Sequence, residues 1–379
     1  MKKTSLIALI TAASAVISGS TLLTSCGSGV SDPKETEAIT QNEAEKLIEA
    51  KHADTLAALA DTLPGIVCWG DSLTSGPGGD AMSYPKSLQN CVNERLCALY
   101  DPTAALSDEE KALLQNNPSD KSNLTVDIPV INMGVGGETT NTILARNGAV
   151  PFLTDGSITV PAECKPVKIK LTCESGAPVA PLLQGNAGME SVTIGGIKGV
   201  ITHGQGYFFT RSEPGEETKI PDGTVIVTEG SGKYLDYLPV IFIGQNGGYT
   251  GYFDLVDQQR AIIEHQTKNS DRYIIIGMHT TTPGYREDLE ELMVEEFGDK
   301  YINLREYMAT DAMSDAGLTP TERDLERMEL GFTPYSLLSI DELHFNEAGY
   351  ELIGKLVYER MDKLGYFDGA KLALGINEQ

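Results

Sequence analysis

The chain has 379 residues, 41% of them hydrophobic, and carries 54 acidic against 29 basic side chains. A length of this order holds one large core and a smaller accessory module. The formal charge of -25, without a sustained Lys/Arg run to neutralise a phosphate backbone, excludes nucleic acid as a partner and disfavours polyanionic ligands at long range.

The N-terminus reads as an export signal. Lys2 and Lys3 are followed by an apolar stretch over residues 6–17 and then by small residues. Interruptions at Thr11, Ser14, Ser18, Gly19 and Ser20 make a stable membrane span unattractive. The segment ends in Leu23-Thr24-Ser25-Cys26, which resembles a bacterial lipobox. That resemblance implies that residues 1–26 are a lipoprotein signal peptide and that Cys26 is the site of lipid attachment. The mature chain is then expected outside the cytoplasm, held to the cell envelope by its lipid. Residues 27–42 are rich in Gly, Ser, Thr, Asp and Glu and are predicted to be a flexible tether.

Apolar positions at Ala44, Leu47, Ile48, Leu56, Leu59 and Leu63 follow a helical period and predict an amphipathic helix over 43–63. Gly65-Ile66-Val67-Cys68-Trp69 reads as a short buried strand that stops at Gly70-Asp71-Ser72. A second strand, Pro129-Val130-Ile131-Asn132, ends at Gly134-Val135-Gly136-Gly137 and leads into a helix over 138–146. A third, over 237–243, runs into Gly244-Gln245-Asn246-Gly247-Gly248, with a helix over 255–267 behind it. A fourth, over 273–277, precedes His279-Thr280-Thr281-Thr282-Pro283. Short apolar strands alternating with helices indicate a parallel sheet covered on both faces, whose strand ends gather at one ligand-binding edge.

From 151 to 235 the texture changes to Gly, Thr and Val with β-like pieces at 167–171, 191–194 and 224–228, an inserted β-rich module. It reads as a solubilising elaboration, a wall or lid over the site, or a glycan-contacting surface. The α/β core is then 43–150 joined to 236–379. Six cysteines are too few for a disulfide scaffold in a chain of this length. Cys68 is expected to be a buried apolar residue, Cys91 and Cys97 point to different helix faces, and Cys164 and Cys173 could bond in an oxidising compartment. No Cys or His cluster has metal-ligand spacing, so no metal site is expected.

Gly70-Asp71-Ser72-Leu73-Thr74-Ser75-Gly76 places a serine between a buried strand and a helix, where free N–H groups and positive potential favour an oxyanion. A Gly-Asp-Ser turn is also ordinary loop chemistry. Asp341-Glu342-Leu343-His344 sets a carboxylate within one turn of an imidazole. Asp341 can hold one ring nitrogen while the other faces Ser72, which needs a base because its hydroxyl is a poor nucleophile. The alternative for His344 is a helix cap ahead of residues 347–364. The N–H of Gly137 and the amide of Asn246 are candidate oxyanion donors. His279 stands at a strand end and reads as a hydrogen-bonded turn histidine rather than a substrate contact. Trp69 reads as sheet packing.

Gly70-Asp71-Ser72-Leu73, the Gly-Gly-Glu-Thr stretch with Gly137, the Gly-Gln-Asn with Asn246, and Asp341-x-x-His344 together resemble the four blocks of the SGNH (GDSL-type) hydrolases, in order. Tyr84-Pro85 suits that family too, and the resemblance covers 64–143 and 235–366. It implies an α/β protein, a three-layer α/β/α sandwich with a central parallel sheet and here an inserted β-rich module. It also implies a serine esterase with Ser72 as nucleophile, His344 as base and Asp341 as its orienter, and with no cofactor. The N–H groups of Ser72 and Gly137 and the amide of Asn246 would form the oxyanion hole. The expected substrate is a small acyl ester, an O-acetyl group on an extracytoplasmic carbohydrate. The competing readings are a lipase, lysophospholipase or thioesterase of the same fold, and a non-catalytic glycan-binding lipoprotein. The family's third block usually continues from Asn to Asp; here Gly247 follows, so support for Asn246 must come from elsewhere.

Overall fold

The computed structural model describes residues 33–104, 107–108, 111, 124–266, 268–269, 271–280 and 285–376. The expected signal peptide with Cys26, residues 27–32 of the expected tether, and 281–283 lie outside the described residues. Helix Pro33–Thr62 starts well before residue 43, so 33–42 are helical rather than a loose tether. The reason is local. Between 34 and 46 the chain has no Gly, several strong helix formers (Glu, Ala, Gln, Lys), and Pro33 at the helix start, where its missing N–H costs nothing.

Five parallel strands form the main sheet: β1 (Ile66–Gly70), β2 (Val130–Gly134), β12 (Leu238–Phe242), β13 (Ile274–Ile276) and β14 (Tyr301–Ile302). Their order across the sheet is β14-β13-β12-β1-β2. Ile66, Val67, Cys68 and Trp69 are all fully buried. Burial of each large apolar side chain is worth about 1.5–3 kcal/mol, so burial, not the polar turn behind it, sets where β1 lies. Alternate residues enter different apolar clusters. Ile66, Cys68, Val240, Phe242, Ile274 and Ile276 face one, with helices Tyr84–Arg95 and Glu347–Lys363. Val67, Trp69, Ile241, Ile243 and Ile275 face the other, with helices Thr140–Asn147, Tyr252–His265 and Arg286–Phe297.

The chain moves from β1 to β2 on one side and then crosses to β12 on the other side of β1. This reversal opens the crevice at the carboxyl ends of β1 and β12 in which open α/β sheets bind ligands. Ser72 and Asn246 follow those two strands.

Between β2 and β12 lies an all-antiparallel β-rich region. Seven of its strands form one sheet in the order β5-β9-β8-β7-β11-β3-β6. They are β3 (Phe152–Thr154), β5 (Val167–Ile169), β6 (Leu171–Cys173), β7 (Val192–Ile194), β8 (Ile197–Gly204), β9 (Gly206–Arg211) and β11 (Val225–Val227). β4 (Ile158–Val160) pairs with β10 (Thr218–Ile220). The region has its own apolar cluster around Phe152, Val192, Ile194 and Phe209. Cys164 is exposed, Cys173 is buried, and both are free thiols, so the bond that their spacing left open is not formed. The Cys173 sulfur instead lies 3.1 Å from the Ser175 hydroxyl and 3.3 Å from the Ala177 carbonyl. Among the described residues no helix is long and apolar enough to cross a membrane.

Candidate active site

Ser72 opens a single helical turn, Ser72–Ser75, immediately after β1. Asp71 caps it, its Oδ1 accepting the Leu73 N–H at 2.9 Å, and Gly76 ends it at φ +95°. Gly70 permits this tight exit, since a Cβ there would lie 2.1 Å from Thr74 Oγ1 and 2.5 Å from the Phe242 carbonyl. The helix is shorter than the sequence implies. One turn sums few peptide dipoles, so the electrostatic help at Ser72 comes from unpaired N–H groups rather than from a long macrodipole.

His344 and Asp341 share a loop ahead of helix Glu347–Lys363. The Ser339 N–H donates to the His344 carbonyl at 2.8 Å, and Leu338 and Phe345 form an antiparallel bridge. Asn346 is the helix cap, its side chain accepting the Gly349 N–H at 3.0 Å, so His344 is not needed for capping. Its ring bridges the other two residues. Nδ1 is 2.6 Å from Asp341 Oδ2, and Nε2 is 2.8 Å from Ser72 Oγ. A carboxylate can only accept, so the proton lies on Nδ1. The neutral ring then presents the Nε2 lone pair to the Ser72 hydroxyl, the arrangement that lets serine lose its proton as it attacks.

Asp341 is itself well held. Its Oδ1 accepts from the Ser339 hydroxyl at 2.6 Å and from the Leu343 and His344 N–H groups at 3.1 and 3.0 Å. Burial alone would push this carboxyl up, but the hydrogen bonds from the His344 ring, Ser339 and the two backbone N–H groups outweigh it and hold it well below the usual carboxylate range. It is therefore anionic wherever His344 can be neutral.

Gly137 lies in the turn after β2 at φ +72°, and no acceptor takes its N–H among the described residues. The Asn246 amide nitrogen is 3.2 Å from both Asp71 Oδ2 and the Glu138 carbonyl, and so spans the gap between the Ser72 and Gly137 turns. Both of its protons point at these acceptors, and at 3.2 Å both bonds are long. An oxyanion would have to take one of them. Support for the Asn246 turn, left open by the missing Asp, comes from the helix after β2 and from the helix after β12. The Thr140 N–H donates to the Gly247 carbonyl at 3.0 Å. The Asn141 and Gln258 amides donate to the Gly248 carbonyl at 2.7 and 3.0 Å.

Two features escape sequence reading. Arg146, fully buried, pairs with buried Glu138 at 2.7 Å, donates to the Ala187 carbonyl at 3.0 Å, and lies over the Trp69 ring at 5.3 Å. It ties the Gly137 turn to the inserted region. The second is the loop around Gln184. A Cβ on Gly136 would fall 2.5 Å from Gln184 Oε1, and one on Gly137 would fall 3.0 Å from Nε2, so this exposed amide lies directly on the glycine turn. The loop is anchored by Ala180 N–H to Thr142 Oγ1 at 3.0 Å and by Tyr207 Oη to the Pro181 carbonyl at 3.0 Å. The inserted region therefore forms one wall of the site.

Burial pushes the Asp71 carboxyl up to about 6, with the Leu73 N–H and the His344 ring pulling it back. Burial holds His279 down to about 3, helped by His344 and Arg327. His279 packs against Phe345 at 4.5 Å with Nδ1 3.3 Å from Thr333 Oγ1, behind the site rather than open to it. A cavity of about 290 Å³ lies beside Asn246, between the ends of β12 and β13. A larger one of about 490 Å³ lies against helix Pro33–Thr62 and the chain end, and no residue of the site lines it. Among the described residues no cluster of His, Cys, Asp or Glu could hold a metal ion. No protein-family model, no curated protein and no solved structure matches this chain.

Proposed function

We propose that this chain is a serine esterase of the SGNH type, a three-layer α/β/α sandwich with a β-rich insertion. The observation that carries the reading is the His344 ring, 2.8 Å from the Ser72 hydroxyl and 2.6 Å from the Asp341 carboxylate, across 272 residues of sequence. Ser72 Oγ attacks the ester carbonyl as its proton passes to His344 Nε2. The N–H groups of Ser72 and Gly137, with the Asn246 amide, receive the charge on the carbonyl oxygen. Collapse breaks the C–O bond, and the departing alkoxide takes the proton from His344. Water then repeats the cycle on the acyl-enzyme, giving its proton to Nε2 and releasing the acid and free Ser72. Every proton and leaving group is handled by these residues, and no cofactor enters.

The favoured ester is a small acyl group, O-acetyl, on an extracytoplasmic carbohydrate, met by a protein anchored to the envelope through lipid on Cys26. One observation favours longer acyl chains as a second reading. Ile340 and Leu343, which flank Asp341, and Leu183 beside Gln184 are exposed apolar residues around the site. Hydrolysis of nitrophenyl esters of increasing chain length by the full chain and by Ser72→Ala tests both. Acetate turnover that vanishes in the variant supports the acetylesterase; preference for long chains supports the lipase. A folded protein inactive on every ester tested would overturn both.

A further inference from the structure

The cavity of about 290 Å³ at the ends of β12 and β13 is lined by Gln245, Tyr249, Tyr252, Met278, Thr280 and Tyr285. It begins one residue to either side of Asn246, since Gln245, Gly244 and Gly247 all line it. Three tyrosines surround this small cavity; Tyr249 and Tyr252 also pack against the apolar cluster behind β12, whereas Tyr285 is 66% exposed. Among the described residues the Tyr249 hydroxyl reaches only the Met278 sulfur, at 3.9 Å. Gln245 donates from Nε2 to Thr280, while its Oε1 is buried without a hydrogen-bond partner among the described residues. A buried acceptor left in that state is unfavourable, so an occupant bringing a hydroxyl donor is favoured there.

Three ligand classes can be weighed. An acyl chain would leave the Gln245 oxygen unsatisfied and would desolvate the Thr280 and tyrosine hydroxyls for nothing. An anion would meet the acidic first turns of the two bordering helices, with Asp254 in one and Glu287 and Asp288 in the other. A neutral pyranose ring offers both things the lining asks for, hydroxyl donors at its rim and a flat C–H face for tyrosine. The volume stands at the small end for ligand sites, room for one ring and not for a long chain.

We infer that this cavity is a sugar-ring subsite that holds a neutral hexopyranose unit of the substrate beside Asn246, with Tyr285 and Tyr252 as its stacking surfaces and the Gln245 oxygen as its hydroxyl acceptor. The inference rests on the esterase reading for the position of the scissile ester, but not for binding of the sugar itself.

The test separates the two. Saturation-transfer NMR with methyl β-glucopyranoside reads binding to the full chain without turnover, and kinetics compare methyl 6-O-acetyl-β-glucopyranoside, which keeps its free ring hydroxyls, with 4-nitrophenyl acetate. For Tyr285→Ala, whose side chain is mostly exposed, the saturation transfer is lost. KM for methyl 6-O-acetyl-β-glucopyranoside rises about tenfold, equivalent to about 1.4 kcal/mol, and kcat/KM for 4-nitrophenyl acetate stays within twofold. Tyr285→Trp, which keeps an aromatic face, retains the wild-type KM. Saturation transfer that is lost in Tyr285→Ala from a protein hydrolysing neither ester would keep the subsite and sink the esterase. The subsite is overturned by absent saturation transfer to the wild-type chain, by a Tyr285→Ala variant that matches wild type on both esters, or by equal damage to both in that variant.

Discussion

Replacing Asp341 with asparagine changes one atom and should remove almost all turnover, for a reason that can be read from the hydrogen bonds around it. Oδ1 of Asp341 accepts three donors, the Ser339 hydroxyl and the N–H groups of Leu343 and His344. Oδ2 accepts one, from His344 Nδ1. In Asp341→Asn the single remaining oxygen is drawn to the three donors. The opposite orientation would set an NH2 group against two backbone N–H groups and strand them, at about 1–3 kcal/mol each. The amide NH2 therefore faces His344 Nδ1, which must become an acceptor, and the ring proton moves to Nε2. Ser72 then meets an N–H where it needs a lone pair. Loss of the correct tautomer in a Ser-His-Asp arrangement lowers kcat by roughly 10⁴-fold, about 5.4 kcal/mol of transition-state stabilisation. The assay is initial-rate hydrolysis of 4-nitrophenyl acetate near neutral pH, with thermal melting alongside. The Asp341 side chain is 48% exposed, so only a small change in melting temperature is expected. A folded Asp341→Asn protein keeping more than a tenth of wild-type kcat would refute the assignment of Asp341 as orienter and of the Nε2 lone pair as base.

Further expectations follow from the buried groups behind the site. Arg146→Leu leaves Glu138 buried without its ion-pair partner and should cost about 3–5 kcal/mol in urea unfolding; an unchanged midpoint would mean that the pair carries no such weight. Asp71 gives a stability effect with a definite sign. Its carboxyl is raised to about 6 in the folded protein against an ordinary value near 3.8, so the folded state holds a proton that the unfolded state has released between those values. That contribution is fully present below about pH 4 and is lost as pH rises through 6, roughly 3 kcal/mol in all. The stability of Asp71→Asn relative to wild type should therefore climb by about that amount from pH 4 to pH 7, whatever constant offset the substitution adds. A difference independent of pH would contradict it.

Four strands of the parallel sheet, β1, β2, β12 and β13, and the residues standing at their ends, were legible because each is a short, mostly apolar run, buried at every residue in β1, β12 and β13. The chain then has to break at a turn. Ile66 to Trp69 and Leu238 to Phe242 announce themselves in this way. Asp341 and His344 were legible because their geometry is local, three residues apart in one loop. β14 escaped notice because two residues make no pattern, and the β8–β9 hairpin because glycines and exposed polar residues interrupt its alternation. The helical start at Pro33 was hidden by a polar composition shared by tethers and solvent-facing helices.

What only the tertiary structure decided concerns contacts with no local signature. The Asn246 amide meets Asp71 across 175 residues, Arg146 reaches the carbonyl of Ala187 in the inserted region, and the Gln184 amide rests on Gly136 and Gly137. Residue type and short-range period carry no information about which of many polar side chains will share a buried space. That choice follows from how the strands order themselves around β1, and the order is set by the packing of all five strands and their helices at once. The sequence determined that a serine, an imidazole and a carboxylate of the right kinds stand at strand and helix ends. The fold determined that they meet, that the inserted β region walls one side of them, and that a tyrosine-lined cavity opens on the other.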